Sequence, residues 1–267
     1  VTIGAIITEI DEILEAVNRR NGGVHTPKAR ALQRKFSVAL SRYFKKLQRS
    51  FPYEDLRAAS KYVKETKGSD ARRIAKKAVD PTVSDMDFII GNYTDKGFQL
   101  GTTQALGQVK PRFGVPDATV ADGIKKNGAR WVRDYTSQSS RWINEETRKI
   151  LANTIETGFN QGASPQTLAK MVRDRMGQMA DATKGRAMMI ARTELASSVS
   201  NASLNTYQEM GINGKEWLTA SASDCDICHD NEGQGVIPVG EAFASGDMAP
   251  PAHPNCECTL SPARLPK

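Results

Sequence analysis

Five side chains able to bind a borderline-soft metal crowd into one short stretch near the end of the chain: Cys225, Cys228, His253, Cys256 and Cys258. All four cysteines and two of the three histidines fall between positions 225 and 258. A Cys-x-x-Cys turn presents two thiolates from one tight loop. Tetrahedral zinc needs four nitrogen or sulfur donors, so a second short cluster must close the site. The spacing predicts a structural zinc ion held by Cys225, Cys228, Cys258 and either Cys256 or His253, with the unused group in a supporting role beside the ligands. Two other chemistries use the same residues. A pair of disulfides would pin these loops in an oxidising compartment. Cys225-x-x-Cys228-His229 is also a covalent haem-attachment pattern, which leaves Cys256 and Cys258 unexplained.

A zinc hydrolase would need an open coordination position and a general base, for which Glu232 and Glu257 are the nearest carboxylates in sequence. Sulfur-rich sites are usually closed and structural, which argues against it. Upstream, Ala191-Arg192-Thr193-Glu194 places two charges two residues apart on a predicted helix, where they face different directions. Around them, and around Ser197-Ser198, the sequence shows no convergence of nucleophile, base and orienting group. Structural roles are therefore expected. Arg192 should bond backbone carbonyls of a loop, and Glu194 should accept a hydrogen bond or pair with a cation where its helix meets the metal-binding knob. Trp131, Trp142 and Trp217 read as core residues. No catalytic residue and no small-molecule substrate is expected.

The elements that must position this cluster are mainly helical. Ile6, Ile10, Ile13, Leu14 and Val17 recur at helical spacing over 5–19, up to Asn21-Gly22-Gly23. Thr26-Pro27 opens a helix over 28–49 with Leu32, Phe36, Leu40, Phe44 and Leu47 along one stripe. Helices follow over 53–67 and from Ser69 or Asp70 to Val79. The stretch 83–109 reads as a weak helix, because Gly91, Gly97, Gly101 and Gly107 dilute it; they serve either close backbone packing or a partly looped segment. Pro111 to Pro116 reads as a hinge. One or two long helices are expected over 118–160, then Ser164-Pro165 as cap and first position of a helix to Met176, then a helix over 185–210. The period changes after Gly211. Short strands are predicted at 215–220, 235–239 and 258–260. The fold class is thus mainly α with a small C-terminal zinc-stapled α+β module, whose loops have little core of their own. The chain divides into a basic helical region (1–110), a hinge (111–116), a helical domain (117–211) and a zinc-binding knob (212–267).

Charge separates the two ends. Residues 1–80 carry 18 basic against 9 acidic side chains, whereas residues 200–267 carry 3 against 9. The basic positions on the predicted helices are Arg30, Arg34, Lys35, Arg42, Lys45, Lys46, Arg49, Arg72, Arg73, Lys76 and Lys77. Such a surface faces either solvent or a polyanion, nucleic acid in particular. The apolar start, Val1 to Ile7, has no basic flank and runs at once into Glu9, Asp11 and Glu12. It fits neither a signal peptide nor a membrane span. The chain begins at Val1 without an initiator methionine, as a processed chain or fragment would.

The order of pieces over about 150–262 resembles the phage head morphogenesis family, whose type members are the Mu protein F-like minor head proteins of tailed bacteriophages. The resemblance rests on the helix ending at Gly158 and Gly162, the Ser164 cap, Ala191-Arg192-Thr193-Glu194, Gly211, the Trp217 strand, Asp224-x-x-x-Cys228 and His253-Pro254-Asn255-Cys256-Glu257-Cys258-Thr259-Leu260. Family members often have Arg where this chain has Glu257, and an Asp-Gly turn after the first cysteine pair where this chain has Asp230-Asn231-Glu232-Gly233, which implies a lengthened loop. The resemblance implies a low-copy structural virion protein at the portal vertex or capsid interior, made in the bacterial cytoplasm. Its partners would be the portal or major capsid protein and packaged double-stranded DNA, with no membrane partner. The rival class is a DNA-binding protein outside a virion that uses residues 28–77.

Overall fold

A computed structural model describes residues 23–61, 67–113, 117–220 and 225–265. The helix predicted over 5–19 and residues 114–116 of the predicted hinge lie outside them. Among the described residues the helices are α1 (Pro27–Ser50), α2 (Tyr53–Lys61), α3 (Lys67–Val79), α4 (Val83–Phe113), α5 (Ala118–Asn160), α6 (Pro165–Met179), α7 (Arg186–Glu209) and α8 (Asp226–Gly233). The strands are β1 (Gly214–Leu218), β2 (Val236–Pro238) and β3 (Thr259–Ala263), and single 3-10 turns occupy Gly23–His25 and Asp80–Thr82. The chain is mainly helical. No described helix is long and apolar enough to cross a membrane.

Helix starts follow local chemistry. Thr26 Oγ accepts the Ala29 backbone N–H at 3.2 Å, and Pro27 supplies the first helical position of α1. Ser164 Oγ caps α6 by accepting from Thr167 N at 3.1 Å, with Pro165 next. On α1 the predicted stripe is buried at Phe36, Leu40, Phe44 and Leu47, while Leu32 is half-buried. The span 118–160 is one helix of 43 residues. Helix α4 continues to Phe113, with Pro111 inside its last turn. A proline there removes only one hydrogen bond close to the helix end.

Two compact units share the chain. One draws its described residues from 34–92 and 133–191, the other from 1–33, 93–132 and 192–267. In the first, the buried Tyr43 hydroxyl lies 2.8 Å from Thr82 Oγ1 and donates to Asn144 Oδ1 at 3.3 Å, which ties α1 to α5 through a polar contact inside an apolar core. Burial raises the Tyr43 pKa. Trp142 departs from its core reading and is 48% exposed. Its neighbour Ile143 takes the inward position, and the next residue along a helix is rotated by about 100°.

In the second unit β1 is the central strand of an antiparallel sheet ordered β2-β1-β3, with Trp217 opposite Leu260 and Lys215 opposite both Ile237 and Pro262. Two of the α4 glycines are explained by close helix packing. A Cβ on Gly97 would lie 2.8 Å from Ser198 Cβ, and one on Gly101 would run into the Val199 carbonyl on α7. A Cβ on Gly107 would meet nothing within 4 Å. The knob also has a core, contrary to the expectation of loops with little of their own. Trp217, Phe243, Cys228, Cys256, Cys258 and Leu260 form one buried cluster with Ala105 and Val109 of α4 and with Leu204 and Tyr207 of α7. The predicted loop at Asp230 to Gly233 is helical, as part of α8.

Candidate metal centre

Three segments carry the five predicted donors. Cys225 is the N-cap residue of α8, with extended backbone, and Cys228 sits in the first helical turn. The turn between them closes with a hydrogen bond from Cys228 N to Cys225 O at 2.9 Å. The second loop, His253-Pro254-Asn255-Cys256, closes in the same way, with Cys256 N donating to His253 O at 3.2 Å. Asn255 has φ 65°, a left-handed conformation that asparagine tolerates better than most non-glycine residues. Cys258 lies immediately before β3, which aligns Leu260 with Trp217.

The donor atoms form two overlapping triads, Cys225–Cys228–His253 and Cys228–Cys256–Cys258, each with its ligand atoms within 4.8 Å of one another. Cys228 belongs to both. Its Sγ lies 3.8 Å from Cys256 Sγ and 3.3 Å from His253 Nε2. Two sulfurs on a tetrahedral zinc ion with bonds near 2.3 Å stand about 3.8 Å apart. The donor set therefore has both the chemistry and the spacing to hold such an ion. None of the four thiols is in a disulfide; Cys228, Cys256 and Cys258 are buried, and Cys225 is exposed.

The surroundings fix how these donors present themselves. His253 Nδ1 lies 2.9 Å from the Pro254 carbonyl, which can only accept. The proton therefore sits on Nδ1, and in the neutral ring the Nε2 lone pair faces Cys228. Cys256 is drawn down to about 6, first by the Cys258 thiol and further by backbone hydrogen bonds from Cys258 and Ala252, against the cost of burial. Burial pushes the Cys228 thiol up to about 12. Cys258 is raised too, first by its hydrogen bond to Cys256 and then by burial. Trp217 Nε1 is buried without a hydrogen-bond partner, and its N–H dipole favours charge on the Cys258 sulfur. The predicted structural tryptophan thus lies against the cluster itself.

The hairpin between the last two cysteines is anchored from outside. Arg192 Nε lies 3.0 Å from Glu257 Oε1, an ion pair by distance that lacks the N–H alignment of a hydrogen bond. A carboxylate has taken the place of the loop carbonyls expected for Arg192. Asn255 N donates to Thr193 Oγ1 at 3.1 Å, and His25 Nε2 donates to the Glu257 carbonyl at 2.8 Å. Glu194 is buried on the same helix. Glu232, the other nominated base, accepts from both Thr219 N at 3.1 Å and Thr219 Oγ1 at 2.6 Å. Both nominated carboxylates are thus engaged in holding loops. Ser198 Oγ donates to the Glu194 carbonyl at 2.7 Å, and Ser197 is buried.

Sequence reasoning missed three contributors. Asn255 was readable as a left-handed turn residue. His25 is 232 positions from its partner, and no local pattern announces it. Thr193 lay inside a quoted motif, but the helix alone did not show which backbone it would meet.

The eleven predicted basic positions, Arg30, Arg34, Lys35, Arg42, Lys45, Lys46, Arg49, Arg72, Arg73, Lys76 and Lys77, are all exposed on α1 and α3. Ion pairs among them include Lys46 with Asp85 at 2.6 Å, Arg73 with Asp70 at 3.0 Å and Lys77 with Asp55 at 2.5 Å.

No curated protein and no solved structure matches this chain. One family model does, over residues 149–261, and its description is Phage Mu protein F like protein. The matched stretch contains the Arg192 helix, the Trp217 strand and all five donors, the same pieces that carry the resemblance in the sequence. Residues 149–261 of this chain are similar to the phage Mu protein F-like family.

Proposed function

We propose that the protein is a structural minor head protein of a tailed-phage virion, acting in head morphogenesis and not as an enzyme. The observation that carries this reading is the family match over residues 149–261. The engagement of Glu232 and Glu257 in loop anchoring supports a structural site over a hydrolytic one. The cysteine and histidine donors hold a structural zinc ion that fastens the loops of the C-terminal module to β1.

The working position is the portal vertex or the capsid interior, with the portal or major capsid protein as partner. The exposed cations of α1 and α3 lie against packaged double-stranded DNA. A helical face with this much exposed positive charge gains from releasing the counterions of a polyanion.

The test has two arms. Tagged chain expressed during infection should copurify with heads and with the portal protein, and virions made without it should be defective in head assembly; absence from purified heads overturns the virion reading. In the second arm, duplex DNA binding by the full chain should weaken steeply with salt. The triple variant Arg42→Glu, Lys45→Glu, Arg49→Glu should lower the slope of log K against log salt by about 3, one for each lost phosphate contact. An unchanged slope removes DNA from these faces. DNA binding by a chain that never enters heads would favour the rival protein outside a virion.

A further inference from the structure

Five donors form two triads that share Cys228, and a tetrahedral ion takes four of them. We propose that Cys225, Cys228, His253 and Cys256 bind the metal, as three thiolates and one imidazole, and that Cys258 stands outside the coordination, between Trp217 and the Cys256 sulfur. This ligand choice rests on the zinc staple described above.

The first support is the equivalence of two turns. Cys225-x-x-Cys228 and His253-x-x-Cys256 have the same spacing, and each closes with a backbone hydrogen bond from its fourth residue to its first, at 2.9 and 3.2 Å. Such a turn brings donors three positions apart to one side of the backbone, which is why x-x spacing recurs in zinc sites. Cys258 belongs to neither turn.

The second support is the tautomer of His253. The Nδ1–H to Pro254 carbonyl bond leaves Nε2 as the free lone pair, 3.3 Å from Cys228 Sγ, against about 3.5 Å for nitrogen and sulfur on one tetrahedral zinc. A ring nitrogen opposite a backbone carbonyl acceptor is the usual arrangement of a ligating histidine. His253 also shares a triad with both Cys225 and Cys228.

The third support is where Cys258 lies. It is 1% exposed and lies in one buried cluster with Trp217, Cys228, Cys256 and Leu260, immediately before β3 and outside both turns. A thiol in that position packs between the sheet core and the ligand loop. It orients Cys256 and strengthens the polarity of the site without entering it.

Metal content and cobalt(II) substitution of the full chain separate this set from the four-cysteine alternative, because thiolate-to-cobalt charge-transfer absorption scales with the number of sulfur ligands. The wild-type chain should bind one ion and show three thiolates. Cys258→Ser should keep one ion and the three-thiolate spectrum. His253→Ala should weaken binding by more than about tenfold, and His253→Cys should restore it and add one thiolate to the spectrum. Should Cys258→Ser fail to fold, the half-buried His253 still gives the answer through its two variants. Unchanged binding in His253→Ala, with a four-thiolate spectrum in wild type, overturns the ligand choice and leaves the staple standing. No metal uptake by the folded wild-type chain overturns the staple itself and the ligand choice with it.

Discussion

The unit built from 34–92 and 133–191 and the sheet-bearing unit around β1 both bury a tyrosine or a tryptophan at their centres, but they hold them by different means. In the first, α1 buries Phe36, Leu40, Phe44 and Leu47 and leaves its lysines and arginines outside, so periodicity alone assigns each residue its side. In the second, the buried set includes three cysteines, Lys215, Glu194 and Asn231 beside Trp217 and Tyr207. Buried polar groups need specific partners, and those partners come from distant segments. Lys215 Nζ donates to the Met248 carbonyl at 2.7 Å, and Asn231 bonds Ser245 through both its amide N and its carbonyl O, at 3.0 Å each. The α1 stripe of the first unit asks for apolar residues of suitable shape, with Tyr43, Thr82 and Asn144 as a specific polar contact, whereas the core of the second depends more widely on the identity of single groups.

The comparison breaks most visibly at Trp217 and Leu40, both fully buried. Each truncation to alanine should cost stability by cavity formation, about 3 to 5 kcal/mol for the tryptophan and about 2 to 5 for the leucine. Their side effects should differ. Trp217→Ala removes the wall behind Cys258 and the edge contact with Phe243, whose ring centroid is 5.2 Å away, so metal retention should fall with stability. Leu40→Ala should lower the urea midpoint while leaving metal content per folded chain unchanged. Equal loss of metal in both variants would mean that the two units do not differ in this way.

A sharper version uses one helix, where the same substitution should have opposite signs. Gly101→Ala on α4 would drive a Cβ into the Val199 carbonyl and to 2.8 Å from Ala202 Cβ, an overpacking that costs about 1 to 3 kcal/mol. Gly107→Ala meets open space and should stabilise by up to about 1 kcal/mol through helix propensity. Thermal melts of the two variants against wild type decide it. Destabilisation by both would assign the glycines to something other than local packing.

How much of this was legible in the sequence follows the same division. The α1 stripe, the Ser164 cap, the long run over 118–160 and the change of period after Gly211 were readable because their causes lie within a few residues of each other. The donor cluster was readable because its members are close in sequence and chemically distinctive. The partners of Arg192, Asn255 and Glu257 were not, since Glu257 meets Arg192 and His25 only after the chain has folded. The Asp230 to Gly233 segment, expected as a lengthened loop from the family's Asp-Gly turn, is helical, because the extra residues found tertiary partners. There Asn231 is fully buried against Ser245, and Glu232 accepts from Thr219. Trp142 was misassigned because a run of apolar residues on a long helix does not say which of two adjacent positions points inward.

The smallest effect concerns Lys215, the most unexpected member of the second unit's core. Burial lowers its pKa from the ordinary 10.5 to about 8, only partly offset by Glu241, and its ammonium rests on the Met248 carbonyl and over the Phe243 ring at 5.0 Å. Because the folded value lies below the unfolded one, the unfolded chain binds more protons between about pH 8 and 10.5, and stability gains from this group as pH rises through that window. Below about pH 8 the group contributes a constant cost. Lys215→Met keeps the length of the side chain and removes the charge, so it lacks the gain. The stability difference between variant and wild type should shift toward wild type by on the order of 1 to 2 kcal/mol between pH 7.5 and 9.5. Cysteine titration is common to both proteins and cancels in the difference, which denaturant unfolding at the two pH values measures. A difference that does not change with pH would mean that the Met248 carbonyl and the Phe243 ring fully replace the water Lys215 gave up. The buried lysine would then be a satisfied cation, its charge as well served by its partners as that of Lys46 by Asp85.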